Sequence, residues 1–195
     1  MSSECTSGVS SFSLSQTIEF PSSGVLDMKL SEVNNSSKTQ LLGIALSSAT
    51  ISFCSVLVEG DGRINLVQLP KLNTFLRDEG LILSLSWSEC KLAASTQSSS
   101  IVIFDVRNDS SGVEMIHQIK NAHQLLDENV PAWTTAFDKH DCRRLISGGD
   151  DMMLKLWDMR VSGSSGPISI NKRTHRAGVT AVCSILFYTY SFGYV

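Results

Sequence analysis

The sequence has no excess of charge of either sign. Its 16 basic and 19 acidic residues leave a formal net charge of −3, and charged residues are 18% of the chain. That balance gives no bulk attraction to nucleic acid or to an anionic membrane, and the basic pair Lys172–Arg173 is too small to reverse it. Cysteine is sparse and scattered. Cys5, Cys54, Cys90, Cys142 and Cys183 are odd in number and contain no CxxC pair, which argues against a zinc site or a disulfide framework and fits a reducing, cytoplasmic setting. The stretch MSSECTSGVSSFSL carries no basic residue, the first being Lys29, so no secretory signal is expected. Catalytic signatures are missing as well. There is no GxSxG elbow, no HExxH, no Walker loop and no dinucleotide fingerprint; a serine-hydrolase triad is therefore not legible, and neither a metal nor a cofactor is indicated.

Long apolar runs are nearly absent. Residues 41–58, LLGIALSSATISFCSVLV, carry no charge and just reach the length of a membrane helix. Serine and threonine dilute them, so two buried strands and a turn are expected, with a membrane helix as the alternative. Hydrophobic residues are 42% of the chain, enough for one globular domain with a core. The Ser-rich residues 1–24 are expected as a flexible lead-in or the remnant of an outer strand.

What remains is a series of short β-like runs. VLDMKL (25–30), LLGIAL (41–46), RINLVQL (63–69), LILSLSW (81–87), KLAAS (91–95) and IVIFDV (101–106) come first. WTTAF (133–137), RLISG (144–148), MLKLWD (153–158) and VTAVCSI (179–185) follow. No 3.6-residue stripe competes with them, so the fold is expected to be all-β. The runs also repeat. IVIFD (101–105) and LKLWD (154–158) each end on an aromatic-Asp pair, and each follows a small-residue strand and a tight turn. GDGRINLVQ (60–68) reads as another copy, with Asp61 as turn acid and Val67 in the aromatic place. The mean spacing is close to a WD repeat's period, with the stretch 107–131 read as a polar insertion. A β-propeller of about three blades is expected, over residues 25–185.

Within a WD blade, buried polar groups lock the strand turns. His123, Ser147, Asp151 and Trp157 stand where such a network needs them: acid to histidine, histidine to serine, serine to indole. The preceding blade has Ala94, Ser98 and Phe104 at the matching places, so its network should be absent. Asp151 and His123 are thereby spoken for structurally, although His123 also qualifies as a general base. Asp150 is left over. It is either a solvated turn acid or a carboxylate that orients a water or binds a substrate cation, with Gly148 and Gly149 allowing close approach to the backbone. His175 opens the next blade and is the second weak catalytic candidate. Residues 145–160 also match the box by which some WD-repeat proteins dock onto a ubiquitin-ligase adaptor, with Arg160 as the contact.

AHQ (122–124), AWTTAF (132–137), SGGDD (147–151), WDMR (157–160) and HRAGV (175–179) occur in this order. Together they resemble the WD-repeat diphthine methyl ester esterase family of diphthamide biosynthesis. The resemblance implies hydrolysis of the methyl ester of methylated diphthine on translation elongation factor 2, which would be the protein partner. It also implies about seven blades where this chain supplies about three. Residues 46–59 and the tail 186–195 depart from the pattern, and a shortened, alternatively spliced and inactive form is expected. A non-catalytic scaffold serving a ubiquitin ligase is the competing expectation.

Overall fold

The computed structural model describes residues 16–32, 40–60, 63–107, 112–161 and 166–184. Three antiparallel sheets stand side by side. The first contains β1 (Val25–Leu30), β2 (Gln40–Leu46), β3 (Thr50–Val58) and β4 (Ile64–Gln68) in that order, with the short β5 (Thr74–Phe75) also pairing β3. The second contains β6 (Ile82–Ser88), β7 (Lys91–Thr96), β8 (Ile101–Val106) and β9 (Val113–Ile119). A small hairpin, β10 (Gln124–Leu125) with β11 (Glu128–Asn129), precedes the third sheet. That sheet contains β12 (Thr134–Phe137), β13 (Arg144–Gly148), β14 (Leu154–Asp158) and β15 (Ser169–Asn171). Each of the three contains a four-stranded meander, the blade of a WD-repeat β-propeller, with β5 added to the first.

Apolar faces of neighbouring blades cover one another. Phe53 and Ile51 of the first blade meet Leu85, Trp87, Leu92 and Phe104 of the second, and Phe53 sets its ring edge-on to Trp87. Ala93, Ile101 and Ile103 on the other face of the second blade meet Phe137, Leu145 and Trp157 of the third. A single blade has two apolar faces and no interior; stacking supplies one. The inner strands are tied by polar contacts as well. Asp27 accepts from the Leu85 amide at 2.8 Å, the Trp87 indole donates to the Lys29 carbonyl at 2.8 Å, and the Phe137 amide donates to Ser86 Oγ at 3.0 Å. Lys139, just past β12, reaches across to Glu32, just past β1, at 2.7 Å.

Every strand-like run of the sequence becomes a strand except VTAVCSI, whose described residues 179–184 find no strand partner among the described residues. Residues 41–58 are β2 and β3 joined by a tight turn at left-handed Ala49, not a membrane helix, and no helix is long and apolar enough to cross a membrane. Two readings of the repeat are corrected. GDGRINLVQ is not a copy of the turn and aromatic strand: β4 is an outer strand, and Val67 on it is exposed. Asp61 lies outside the described residues. Register supplies the true aromatic position. Phe53 opposes Gly43 as Phe104 opposes Leu92 and Trp157 opposes Leu145. These aromatics are 51 and 53 residues apart. The even spacing needs no insertion at 107–131, which instead contains the outer strand β9. Residues 46–59 are therefore an integral hairpin and strand, with Ile51, Phe53 and Cys54 fully buried, and not a foreign segment.

The lead-in also differs from expectation over its described part. Ile18 and Phe20 pack on the outer face of the first blade beside Ile44, Leu46 and Cys54. Gln16 exchanges two hydrogen bonds with the backbone of Leu66, at 2.7 and 2.8 Å. A side-chain amide thus satisfies part of the exposed β4 edge, which is one way of blunting an unpaired strand. Residues 1–15 and the tail 186–195 lie outside the described residues.

Candidate functional site

The third blade is closed by a continuous polar chain. His123 comes from the loop after β9, Ser147 from β13, Asp151 from the following turn and Trp157 from β14. Trp157 Nε1 is 2.8 Å from Ser147 Oγ, Ser147 Oγ is 2.8 Å from His123 Nε2, and His123 Nδ1 is 2.7 Å from Asp151 Oδ1. An ionised carboxylate can only accept, so the Nδ1 proton points at Asp151 and Nε2 accepts from the serine. Indole to hydroxyl to imidazole to carboxylate, each group donates in one direction. All four are buried.

Lys155 closes the circuit. It forms an ion pair with Asp151 Oδ2 at 2.8 Å and donates to the Ala122 carbonyl at 2.7 Å. Burial pushes the Asp151 carboxyl up, but the bonds to His123 and Lys155 outweigh it and hold the group at about 2. The period of two along LKLWD puts Lys155 on the same buried face as Trp157. That was the available signal, because a buried lysine requires a carboxylate. Ser99, in the turn between β7 and β8, grips the backbone of His123 from the other side, accepting from its amide at 2.7 Å and donating to its carbonyl.

Extra residues between His123 and Trp133 do not displace the histidine. They fold out as the β10–β11 hairpin, whose tip residues Leu126 and Asp127 are both left-handed, and the Val130 amide returns to the His123 carbonyl at 3.1 Å. The glycines of the turn are not open to a substrate, contrary to the sequence expectation. A Cβ on Gly149 would lie 2.4 Å from His123 Cγ, and one on Gly148 would lie 2.5 Å from a Val179 methyl. The chain's own side chains fill that space. Gly149→Ala is expected to cost about 1–3 kcal/mol by overpacking; chemical unfolding curves check this, and an unchanged midpoint would show that the ring can move aside.

The second blade lacks the four-residue network, as Ala94 and Phe104 imply, but it is not left unlocked. Glu79, from the loop before β6, accepts from Thr96 Oγ1 at 3.0 Å, from Ser98 Oγ, and from Gln118 Nε2 at 2.8 Å. Here the loop supplies the acid, and the end of β7 and the turn after it supply the hydroxyls, whereas in the third blade the acid comes from the turn.

Asp150 points away from the lock and is exposed. Its Oδ1 accepts from the Trp133 indole at 2.6 Å, and a Cβ on Gly178 would meet the same oxygen at 2.5 Å. The carboxylate is thus fixed between an indole edge and a stretch of backbone. Trp133, which the sequence reading used only as part of a motif, also walls a cleft of about 490 Å³ bordered by β1, β6, β12 and residues 180–184. His175 is half-buried and makes no hydrogen bond or ion pair among the described residues. No hydrogen bond joins it to Asp150.

Arg160 is exposed and folds back on its own strand. Its guanidinium pairs with Asp158 and lies 3.9 Å from Asp141. Arg160 holds the Asp158 carboxyl far below the usual range. Arg107 pairs with Asp105 in the second blade and lowers its carboxyl. The Asp-x-Arg unit therefore recurs as a strand-end clasp.

No family model matches the chain. Among curated proteins it is similar to the diphthine methyltransferase homolog of Dictyostelium discoideum, 33% identical over 146 residues that cover 74% of this chain and 36% of that protein. It is 29% identical to diphthine methyltransferase of Mus musculus over 168 residues, 84% of this chain and 34% of the relative. It is 34% identical to the Schizosaccharomyces pombe protein of that name over 106 residues, covering 53% and 29%. The chain spans well under half the length of each. Among solved structures, a WD40 propeller chain in the crystal structure of the mitotic checkpoint complex superposes with a TM-score of 0.60 at 21% identity, over 85% of this chain and 42% of that one, a likeness of fold alone. Three blades with this strand order, a His–Ser–Asp–Trp lock and relatives of one name in several organisms have one explanation: the chain belongs to the WD-repeat family of diphthine methyltransferases.

Proposed function

We propose that this protein acts in diphthamide biosynthesis by hydrolysing the methyl ester of methylated diphthine on elongation factor 2. The observation that supports this most is the match to proteins named diphthine methyltransferase over 74–84% of the chain. The acceptor of the acyl group is taken to be water. A base removes a proton from water as its oxygen attacks the ester carbonyl, the carbonyl–methoxy bond breaks, and the methoxide leaves with a proton as methanol. Asp150 and His175 are the candidates to act on that water or on the substrate. Both stand outside the lock, so their chemistry does not compete with blade stability. The partner is the modified elongation factor, in the cytoplasm.

The test supplies purified protein with elongation factor 2 carrying methylated diphthine, and follows the loss of one methyl group by mass spectrometry. The full-length mouse relative serves as reference. Release of methanol by the reference, slowed about 10²-fold or more by substitution of the base, is the expected result, and release by the present chain as well would overturn the expectation that it is inactive. Binding of the factor without release would move the protein to the scaffold reading, in which Arg160 would have to leave Asp158 to reach an adaptor.

A further inference from the structure

We infer that the β10–β11 hairpin is a docking knob for the protein substrate, with Leu126 as its apolar tip and Asp127 and Glu128 as its acidic flank. The loop of the hairpin is two residues long, between the paired Leu125 and Glu128. Both loop residues are left-handed, Leu126 at φ 51° and Asp127 at φ 66°. Such turns ordinarily take Asn-Gly or Asp-Gly, because a left-handed Cβ crowds the following carbonyl. Leucine adds a second cost there. Leu126 is 91% exposed, the most open of the large apolar side chains among the described residues, and Leu125 beside it is exposed as well. Neither the backbone nor the core gains from a leucine at that place. Strain at an exposed apolar tip points to a role outside the fold.

The tip stands on a fixed base. Gln124 donates to Asn129 at 3.1 Å, Asn129 donates to Asn121 at 2.9 Å, and the Val130 amide donates to the carbonyl of the buried His123 at 3.1 Å. A knob ordered in advance loses little freedom on binding. Its position says what it meets. The Pro131 carbonyl, next after Val130, accepts from the Asp150 amide at 3.2 Å, so the hairpin is rooted beside a residue that the proposed function assigns to ester chemistry. A convex apolar tip needs a concave apolar socket, which a protein surface offers and a small molecule does not. Asp127 and Glu128 are exposed and make no ion pair among the described residues, and a socket rimmed by lysine or arginine complements them. The occupant is therefore a folded protein, seated on Leu126 while it presents its reacting group near Asp150. That this protein is elongation factor 2 rests on the proposed function.

The test measures binding of this chain to immobilised elongation factor 2 carrying methylated diphthine, by interferometry. Leu126→Asn is expected to weaken binding about tenfold or more, yet to leave the thermal midpoint unchanged or higher, because asparagine accepts the left-handed turn more readily. Leu126→Met keeps an apolar tip and should bind within about threefold of the parent. Replacing both flanking acids, Asp127→Asn with Glu128→Gln, should slow association and flatten its dependence on salt. No binding by the parent chain, parent-like binding by Leu126→Asn, or faster association without the two acids would overturn the inference. Sedimentation at increasing concentration is the second arm: self-association abolished by Leu126→Asn would make a second copy the occupant, and overturn it as well. Ester turnover by the full-length reference with hairpin-independent binding of this chain would sink the inference and spare the proposed function; Leu126-dependent binding without turnover by the reference would do the opposite.

Discussion

Asp151→Asn is expected to destabilise the protein by about 3–5 kcal/mol, while Asp150→Asn leaves unfolding within about 0.5 kcal/mol of the parent. The two acids are adjacent in sequence and opposite in circumstance. Asp151 is buried, faces His123 and Lys155, and accepts from the Met153 amide at 3.1 Å. An amide there leaves the Lys155 charge buried without its counter-charge, and one of its two arms must present N–H to a donor. Asp150 is exposed, and asparagine can still accept from Trp133. The same contrast predicts a pH dependence. Asp151 is held at about 2 against an ordinary 3.8, so its folded-state pKa is depressed. Its contribution is complete above pH ~4, falls as pH drops toward ~2, and amounts to about 2 kcal/mol. Denaturant titrations between pH 2 and 6 measure it, and Asp151→Asn should remove that segment of the curve. Equal destabilisation by both substitutions would show the pair to be one structural unit.

Trp157→Ala is expected to cost about 3–5 kcal/mol. The indole fills the interface between the second and third blades beside Ile101, Ile103 and Leu145, and its N–H is the first donor of the polar chain. Truncation loses packing and leaves Ser147 short of one donor. Trp157→Phe separates the two effects: it restores the shape found at Phe104 in the second blade but not the bond, and should cost about 1–2 kcal/mol. Retention of the parent's unfolding midpoint by the alanine variant would dismantle the blade assignment.

Much of this fold could be read directly. The strands were visible because alternation and turn residues mark them locally, and the lock was visible because its members stand at fixed offsets from Trp157. Pairing was harder. Phe53 was missed as the first blade's aromatic because its turn is shorter, so counting back from the aromatic leads to the wrong residues; only the register with Gly43 reveals it. β9 was hidden by polar composition, as an outer strand buries little. The partner of Asp150 was out of reach for another reason. Trp133 is 17 residues away, and nothing in either residue's neighbourhood says that the chain will bring them together. Glu79 illustrates the same limit, since a carboxylate in a loop looks solvated until the hydroxyls of Thr96 and Ser98 arrive beside it.

The ion pair between Lys139 and Glu32 acts as a chord across an arc. It joins the first blade to the third and skips the second, so its length reports the angle through which the blades have turned. Both side chains are substantially exposed, which makes the chord weak, worth at most about 1 kcal/mol and sensitive to ionic strength. Curvature must therefore be set by the inner strands, where β6 is fastened to β1 through Asp27 and to β12 through Ser86. Those two fastenings are hinges of fixed pitch, and the chord is only a gauge. A probe pair placed at Glu32 and Lys139 would read the opening of the arc in real time, at the rim of the cleft and without touching the lock.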